Sequence, residues 1–220
     1  MTPRVHAEWA RRVAAEYGSA GVAAQVLAWG IQVGVPPALL STLTRVVQDE
    51  LDHAALAFDA LVALGGAEAP VTVTGEHLAV AAAGPVFPGL VDTVVRSFCL
   101  GETLAVPYFA AMRREASHPA VRPVLDRIVA DEAVHRALGW DLLDAFVVID
   151  PGVPAYVTAR LPALLLAFAG YRDPPPAEPL TPAERACGLL DHETYAEIYA
   201  HTWRDDLVPR FRRRGVEVIP

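Results

Sequence analysis

Two ten-residue stretches of this chain carry the same pattern of charged and apolar residues. "DELDHAALAF" begins at Asp49, and "DEAVHRALGW" begins at Asp131. Each places a glutamate and a histidine three residues apart, in a segment that otherwise has the composition of a buried helix. A carboxylate in an apolar core is costly unless a group of opposite charge accompanies it. The repetition therefore predicts one polar site that two helices build together.

Composition limits the class of protein. The chain has 220 residues, enough for one domain with a sizeable core, and 53% of them are hydrophobic. We expect no membrane-spanning helix and no N-terminal signal segment, which predicts a cytoplasmic protein. A net charge of −8 argues against nucleic acid as a partner. Two cysteines, Cys99 and Cys187, are too few for a disulfide framework or a four-cysteine metal module.

The apolar residues have helical period along almost the whole chain, and no segment is typical of a strand. Short turns after the first and third predicted helices indicate two antiparallel hairpins. Residues 66–88 are rich in proline and glycine, with a short helical piece near 76–83, and are long enough to cross the bundle. The fold class is therefore all-α, a ferritin-like four-helix bundle with one long crossover. The four bundle helices are predicted at about 5–34, 37–64, 88–117 and 119–149.

Residues 1–150 are predicted to form this bundle, and residues 151–220 a helical extension that packs on it within the same domain. The extension has a helix near 155–169, a proline-rich linker and a last helix near 191–214. Between them, Thr181 is followed by Pro182 and Glu184, which is the pattern of a capped helix start. In the bundle itself, Pro107 should kink the third helix.

Each predicted bundle helix has one glutamate on its apolar stripe. Spacings of three, four, seven and eleven residues keep side chains on one side of a helix, so these glutamates point inward. Glu102 and the pair Glu132 and His135 also lie about equally far from the turn that joins their helices, which puts them at one height. The candidate metal ligands are Glu16, Glu50, His53, Glu102, Glu132 and His135.

Electrostatics favour bound metal at this site. Four carboxylates carry four negative charges, two divalent ions balance them, and two neutral imidazoles complete the donor set. Without metal, burial and mutual repulsion should raise the pKa of all four glutamates. Mixed carboxylate and imidazole ligands suit iron, with manganese as the second choice. We therefore predict two iron ions as cofactors, or manganese in their place.

Four stretches of the chain resemble a known family. "EYGSAGVAAQVLAWGIQVGVPP", "DELDHAALAF", "GETLAV" and "ADEAVHRALGW" are similar to ferritin-like domain proteins of GC-rich bacteria, which share the dimetal site of ferritins, rubrerythrins and bacterial multicomponent monooxygenases. The resemblance covers about residues 9–149 and implies iron with dioxygen or peroxide chemistry. It also implies that Asp49 accepts a hydrogen bond from His135, and Asp131 one from His53, which would fix the tautomers of both imidazoles.

The function expected on these grounds is that of a di-iron oxidase or oxygenase, which uses dioxygen to oxidise a small organic substrate. Glu102 is the expected catalytic carboxylate, because a shift of its side chain would open a coordination position. Three alternatives stay open: a ferroxidase or iron store, a peroxide reductase with an external electron donor, and a helical scaffold without turnover. A homodimer is compatible with all four.

Other residues near the motifs have simpler interpretations. Cys99 lies one turn from Glu102 but is interpreted as a small core residue, and Tyr17 and Tyr108 as ordinary packing residues. The sequence "DHETYAEIYAH" holds further donors, which we interpret as a solvated helix face. These donors are His192, Glu193, Glu197 and His201, and a surface metal at Glu197 and His201, which share a face, is the alternative.

Overall fold

Four long helical segments lie side by side and form the bundle. The computed structural model describes residues 1–66, 85–173 and 178–218, and no strand occurs among them. The third bundle segment is composite, with a π-helix between two α-helices. The segments are α1 (Pro3–Val33), α2 (Pro37–Ala63), α3 (Val86–Thr93) with the π-helix Val94–Glu102 and α4 (Thr103–Glu115), and α5 (Arg122–Ile149).

The ends of α1 show why the first hairpin forms. The Thr2 side chain accepts a hydrogen bond from the Val5 amide, and a proline occupies the first turn. The helix ends at Gly34, whose φ of +81° is a left-handed conformation that glycine adopts without strain. Val35 and Pro36 complete a short turn, and α2 then returns antiparallel to α1.

The direction of the other helices follows from their contacts. His53 lies beside Asp131 and His135 beside Asp49, so residue numbers increase in opposite directions along α2 and α5. The short turn at 116–121 makes α5 antiparallel to α4. The second and third bundle segments therefore run in the same direction, which is the ferritin-like arrangement with one long crossover. The predicted helical piece near 76–83 lies outside the described residues.

The C-terminal segments share the core of the bundle. Val157, Leu207 and Phe211 are buried in the same cluster as Phe98 and Phe146. A shared core is what we expect of a single domain. The segments are α6 (Val153–Leu165), the 3-10 helix Leu166–Phe168, α7 (Ala169–Arg172), α8 (Pro182–Ala186), α9 (His192–Thr202), the π-helix Trp203–Leu207 and α10 (Val208–Arg213).

The start of α8 has the predicted cap. The Thr181 hydroxyl accepts a hydrogen bond from the Glu184 amide at 3.3 Å, and the Glu184 carboxylate accepts one from the Thr181 amide at 2.9 Å. The same carboxylate accepts a hydrogen bond from the Thr2 hydroxyl at 2.9 Å, which joins α8 to the start of α1. This contact helps to hold the C-terminal part against the bundle.

One apolar stretch departs from the expectation of no membrane-spanning helix. Among the described residues, Val153–Arg172 has the length and mean hydropathy (1.4) that a span requires, and 22% of it is buried. A core helix can meet the same criteria, and Val157 and Leu161 of this stretch pack into the bundle core. The absence of a membrane partner therefore stays a prediction.

The irregularity of the third bundle segment lies earlier than the predicted kink. Pro107 is inside α4, but the backbone leaves α-geometry over Val94–Glu102, where hydrogen bonds span five residues instead of four. Gly139 of α5 permits this wider helix to approach closely. A Cβ atom at Gly139 would lie 2.7 Å from the Cβ atom of Phe98 and 2.8 Å from its carbonyl carbon.

We expect Gly139→Ala to destabilise the protein by ~1–3 kcal/mol, because the added methyl group has no space and would push the π-helix away from α5. Urea unfolding measures this change. Gly89→Ala in α3 is the matched control, since a Cβ atom there meets nothing within 4 Å and alanine favours a helix. A Gly139→Ala protein as stable as Gly89→Ala would contradict this packing argument.

Candidate metal centre

The structure brings the six candidate ligands together in the middle of the bundle. Five of them are no more than 5% exposed, and both histidines are fully buried. Glu102 is half-buried, because it faces a cavity. The five buried residues are Glu16, Glu50, His53, Glu132 and His135.

Two overlapping groups of donor atoms form the centre. In each group, one ligand atom from every residue lies within 4.8 Å of all the others. Glu50 and Glu132 belong to both groups, so the site has two ion positions that share two carboxylates. Each position has one further glutamate and one histidine of its own. The groups are Glu16, Glu50, His53 and Glu132, and Glu50, Glu102, Glu132 and His135.

Buried donor atoms without hydrogen-bond partners lie at the centre of these groups. They include Nδ1 of His53 and His135, and Oε2 of Glu50 and Glu132. Buried polar atoms are almost always paired, so four orphans at one place require a ligand. The His135 Nδ1 atom is 3.1 Å from Glu50 Oε1, close to the ~3 Å between two donors that bind one ion at ~2.1 Å and at a right angle. The donor set therefore fits two divalent metal ions.

Two aspartates lie behind the histidines. The Nε2 atom of His53 is 3.0 Å from Asp131 Oδ2, a hydrogen-bond distance. The Nε2 atom of His135 is 3.5 Å from Asp49 Oδ2, an ion-pair distance at which no hydrogen bond forms. An imidazole that donates its Nε2 proton keeps the Nδ1 lone pair for a metal ion. His53 and Asp131 thus make the hydrogen bond that the family resemblance implies, whereas His135 and Asp49 lie side by side without one.

Arg127 is a site residue that the sequence analysis missed. Its Nε donates a hydrogen bond to Asp131, and its Nη2 lies 3.3 Å from Asp49 Oδ1, so one guanidinium joins both aspartates. Burial alone would raise the pKa of Asp131, but the hydrogen bonds from Arg127 and His53 outweigh burial and lower it. The spacing of four residues between Arg127 and Asp131 was a signal for one of these contacts. The contact with Asp49 joins two different helices, so the spacing of residues in the sequence does not predict it.

Three of the four glutamates have raised pKa values in the absence of metal. Burial is the largest cause for Glu16, Glu102 and Glu132, and the charges of neighbouring glutamates add to it. The pKa of Glu102 rises to about 7. The prediction that all four are raised was wrong for Glu50. Burial would raise its pKa, but the imidazoles of His135 and His53, which lie 3.1 and 3.7 Å from its carboxylate, lower it.

The other candidate residues lie outside both donor groups. Cys99 is fully buried, its thiol donates a hydrogen bond to the Gly139 carbonyl at 3.3 Å, and burial raises its pKa. The Tyr108 hydroxyl donates to the Tyr195 carbonyl at 3.3 Å. His201 pairs with Asp205 at 2.9 Å on the exposed face of the C-terminal helices. Each contact agrees with a packing or surface role.

A cavity of about 700 Å³ reaches the donor groups from the side of α1 and α4. The carboxylates of Glu16, Glu50, Glu102 and Glu132 line one part of it, which we call the floor. Apolar and aromatic side chains form its walls, and residues of the C-terminal part contribute to the lining. The wall residues include Phe98, Leu104, Phe109 and Met112, together with Phe168, Tyr171 and Tyr195.

Comparisons with known proteins add little to this geometry. No protein-family model matches the chain, and no curated protein matches it. Among solved structures, it is similar to "Protein 19 with aldehyde deformylating oxidase activity from Synechococcus", with 18% identity over 93% of this chain and 95% of that chain. The TM-score is 0.46. This likeness is too distant to transfer an activity.

Proposed function

We propose that the protein is a non-haem di-iron carboxylate oxidase or oxygenase that uses dioxygen to oxidise a small organic substrate. The observation that carries the proposal is a pair of donor groups that share two carboxylates and open onto a cavity whose walls are largely apolar. Oxygen and imidazole donors in this combination suit iron, and manganese could replace it. When bound, the two metal ions would supply the electrons that reduce dioxygen.

The ligand roles follow from the two groups. Glu50 and Glu132 would bridge the ions, because both belong to each group. Glu16 and His53 would complete one position, and Glu102 and His135 the other. Asp49 and Asp131 would hold the imidazoles in the tautomer that leaves Nδ1 free, and Arg127 would hold both aspartates in place.

Glu102 has the features of the carboxylate that moves. It is the half-buried member of the proposed ligand set, it faces the cavity, and it is the last residue of the π-helix Val94–Glu102. Four residues after Thr103, Pro107 lacks the N–H group that an α-helix would donate to the Thr103 carbonyl. The backbone is thus less constrained here than at the other ligands. A shift of the Glu102 side chain would open a position on the side from which a substrate enters.

The same donor set could serve a ferroxidase or a peroxide reductase. The cavity favours an organic substrate, because phenylalanine, leucine and methionine side chains line the way to the glutamates. Iron ions and peroxide gain nothing from an apolar wall, whereas a hydrocarbon group does.

The test is a stopped-flow experiment. Protein incubated anaerobically with an excess of ferrous ion is mixed with dioxygen, and iron oxidation is followed by absorbance. We expect rapid oxidation that stops at about two irons per chain, and its loss in His135→Ala, which lacks one ligand. Glu193→Ala, a change at an exposed helix residue, is the control and should react like the wild type.

Two results would count against the proposal. If iron bound to the protein were oxidised no faster than free ferrous ion in buffer, the protein would not be acting as an enzyme. Uptake of many irons per chain by a large assembly would indicate storage instead.

A further inference from the structure

Three arginine side chains line the cavity, and their charges are not balanced. Glu8 accepts hydrogen bonds from Arg11 at 2.7 and 3.1 Å and from Arg12 at 2.9 Å. Within the described residues, Arg96 makes no hydrogen bond or ion pair. Glu8 therefore pairs with two of the three guanidinium groups. Among the described residues, the three arginines exceed this one carboxylate by two positive charges, which remain unmatched at the wall.

Arg12 offers a donor that no other described residue uses. The residue is only 6% exposed, yet its Nε atom has no hydrogen-bond partner in the described part of the chain. The guanidinium carbon lies 4.9 Å from the centre of the Phe109 ring, and the side chain lines the cavity. A buried donor without a partner is costly, so a polar group of a ligand is expected there.

Metal loading makes this wall attractive to an anion. The floor holds the carboxyl groups of four glutamates, and each one that is ionised would repel an anion in the metal-free protein. Under the proposed function, two divalent ions neutralise those carboxylates, and the unmatched arginine charges then dominate the cavity. An anionic ligand should therefore bind the loaded protein more tightly than the metal-free one.

The rest of the lining selects for an apolar body. Phe98, Leu104, Phe109 and Met112 present carbon and sulfur to the cavity. A volume of about 700 Å³ is in the range of pockets for small organic ligands. Arg12 lies one helical turn, ~6 Å, before Glu16, so an anion held by Arg12 is near the metal positions.

We infer that the substrate is an apolar carboxylic acid, aryl or alkyl, whose carboxylate is held by Arg96 and Arg12. Its hydrocarbon part lies along the Phe98 and Phe109 wall, and the carbon that faces Glu102 is a few bonds from the carboxylate. This inference rests on the proposed function, because it assigns a substrate class to the same site.

The test is calorimetric titration of protein loaded with zinc, which binds the same donors but does not react with dioxygen. The probes are benzoate and octanoate, and benzamide and octanamide are their neutral counterparts. We expect the acids to bind wild type at least about tenfold more tightly than the amides. Arg96→Gln should weaken acid binding about 10-fold to 100-fold and leave amide binding unchanged, and Arg96→Lys should restore part of the preference.

Arg113→Gln is the matched control, because Arg113 pairs with Asp126 away from the cavity, and it should behave like the wild type. Arg12→Gln should also lose the preference, and a melting curve checks that this variant is folded. Equal binding of acids and amides by wild type would overturn the inference. So would a preference that persists in Arg96→Gln, since the acids would then bind the metal directly. Zinc-loaded protein needs no dioxygen reaction, so these results are independent of the stopped-flow outcome.

Discussion

The Glu132→Ala protein should bind almost no metal, whereas the wild type should bind two ions per chain. Glu132 contributes to both donor groups, so its loss removes a ligand from each ion position. Only one shared carboxylate, that of Glu50, would then remain between the two positions. Glu50→Ala should have the same effect for the same reason. Elemental analysis after anaerobic loading with ferrous ion and removal of unbound metal measures the stoichiometry.

Variants of the unshared ligands are the matched comparison. Glu16 and Glu102 each belong to one group, so Glu16→Ala and Glu102→Ala should each retain about one ion per chain. Glu193→Ala, an exposed helix residue, should retain two. If Glu132→Ala bound two ions, the assignment of a shared ligand would be wrong. If Glu102→Ala lost both, the two positions would not be separable.

Removal of the metal should lower the free energy of unfolding by several kcal/mol at pH 8 and by less at pH 5. Metal binds only the folded site, so an excess of one hundred times the dissociation constant adds ~2.7 kcal/mol for a single site. The metal-free protein is also weakened directly at high pH, because ionised glutamates then crowd together in an apolar core.

The direction of this pH dependence follows from the raised pKa values in the metal-free protein. For Glu16, Glu102 and Glu132 the folded state holds protons that the unfolded chain releases near pH 4.5. Their contribution to stability is complete below that pH and is lost as the pH rises through the raised value, which for Glu102 is about 7. The pKa of His135 is also raised, because Glu50 outweighs the effect of burial, so its contribution is lost with rising pH as well.

Glu50 acts in the opposite direction, since its pKa is lowered and its contribution is lost only as the pH falls below its ordinary value. Between pH 5 and 8 the net change is therefore a loss of stability with rising pH. Urea unfolding of metal-free and manganese-loaded protein across this range is the measurement. Metal-free Glu102→Gln, which has no proton to lose near pH 7, should show a flatter profile. A metal-free protein as stable as the loaded form at pH 8 would contradict a shared metal site.

The positions of the clustered donor residues were predictable because they violate the apolar pattern at helical spacing. A glutamate among valine, leucine and alanine residues of one helix face stands out without any structure, and the repeat of Glu50 with His53 and Glu132 with His135 identified the two halves of the site. The helix ends were predictable to within a few residues at Gly34 and Thr181, where the cap residue itself is diagnostic.

The properties that depend on distances between helices were not predictable. Arg127 reaches Asp49 across the bundle, and Glu50 has a lowered pKa because it lies between two histidines from different helices. The excess of arginine at the cavity wall arises only because α1 and the π-helix border one cavity. The irregularity of the third bundle segment was expected at Pro107, because a proline is visible in a sequence. A π-helix has no comparable single-residue signal.

The number of residues in the π-helix Val94–Glu102 also determines how α3 is oriented relative to the Glu102 side chain. A π-helix accommodates more residues in each turn than an α-helix, so the residues of α3 and those of α4 are out of angular phase with each other. Deletion of one residue from this segment would turn every residue before it by about 100° relative to Glu102. Leu90 and Val91 could then no longer face the core while Glu102 faces the metal site. A point substitution changes one side chain of the cavity lining and leaves the helix in place. A change of length in the π-helix would rotate α3 relative to Glu102, so the core contacts of α3 and the inward orientation of Glu102 could not both be kept.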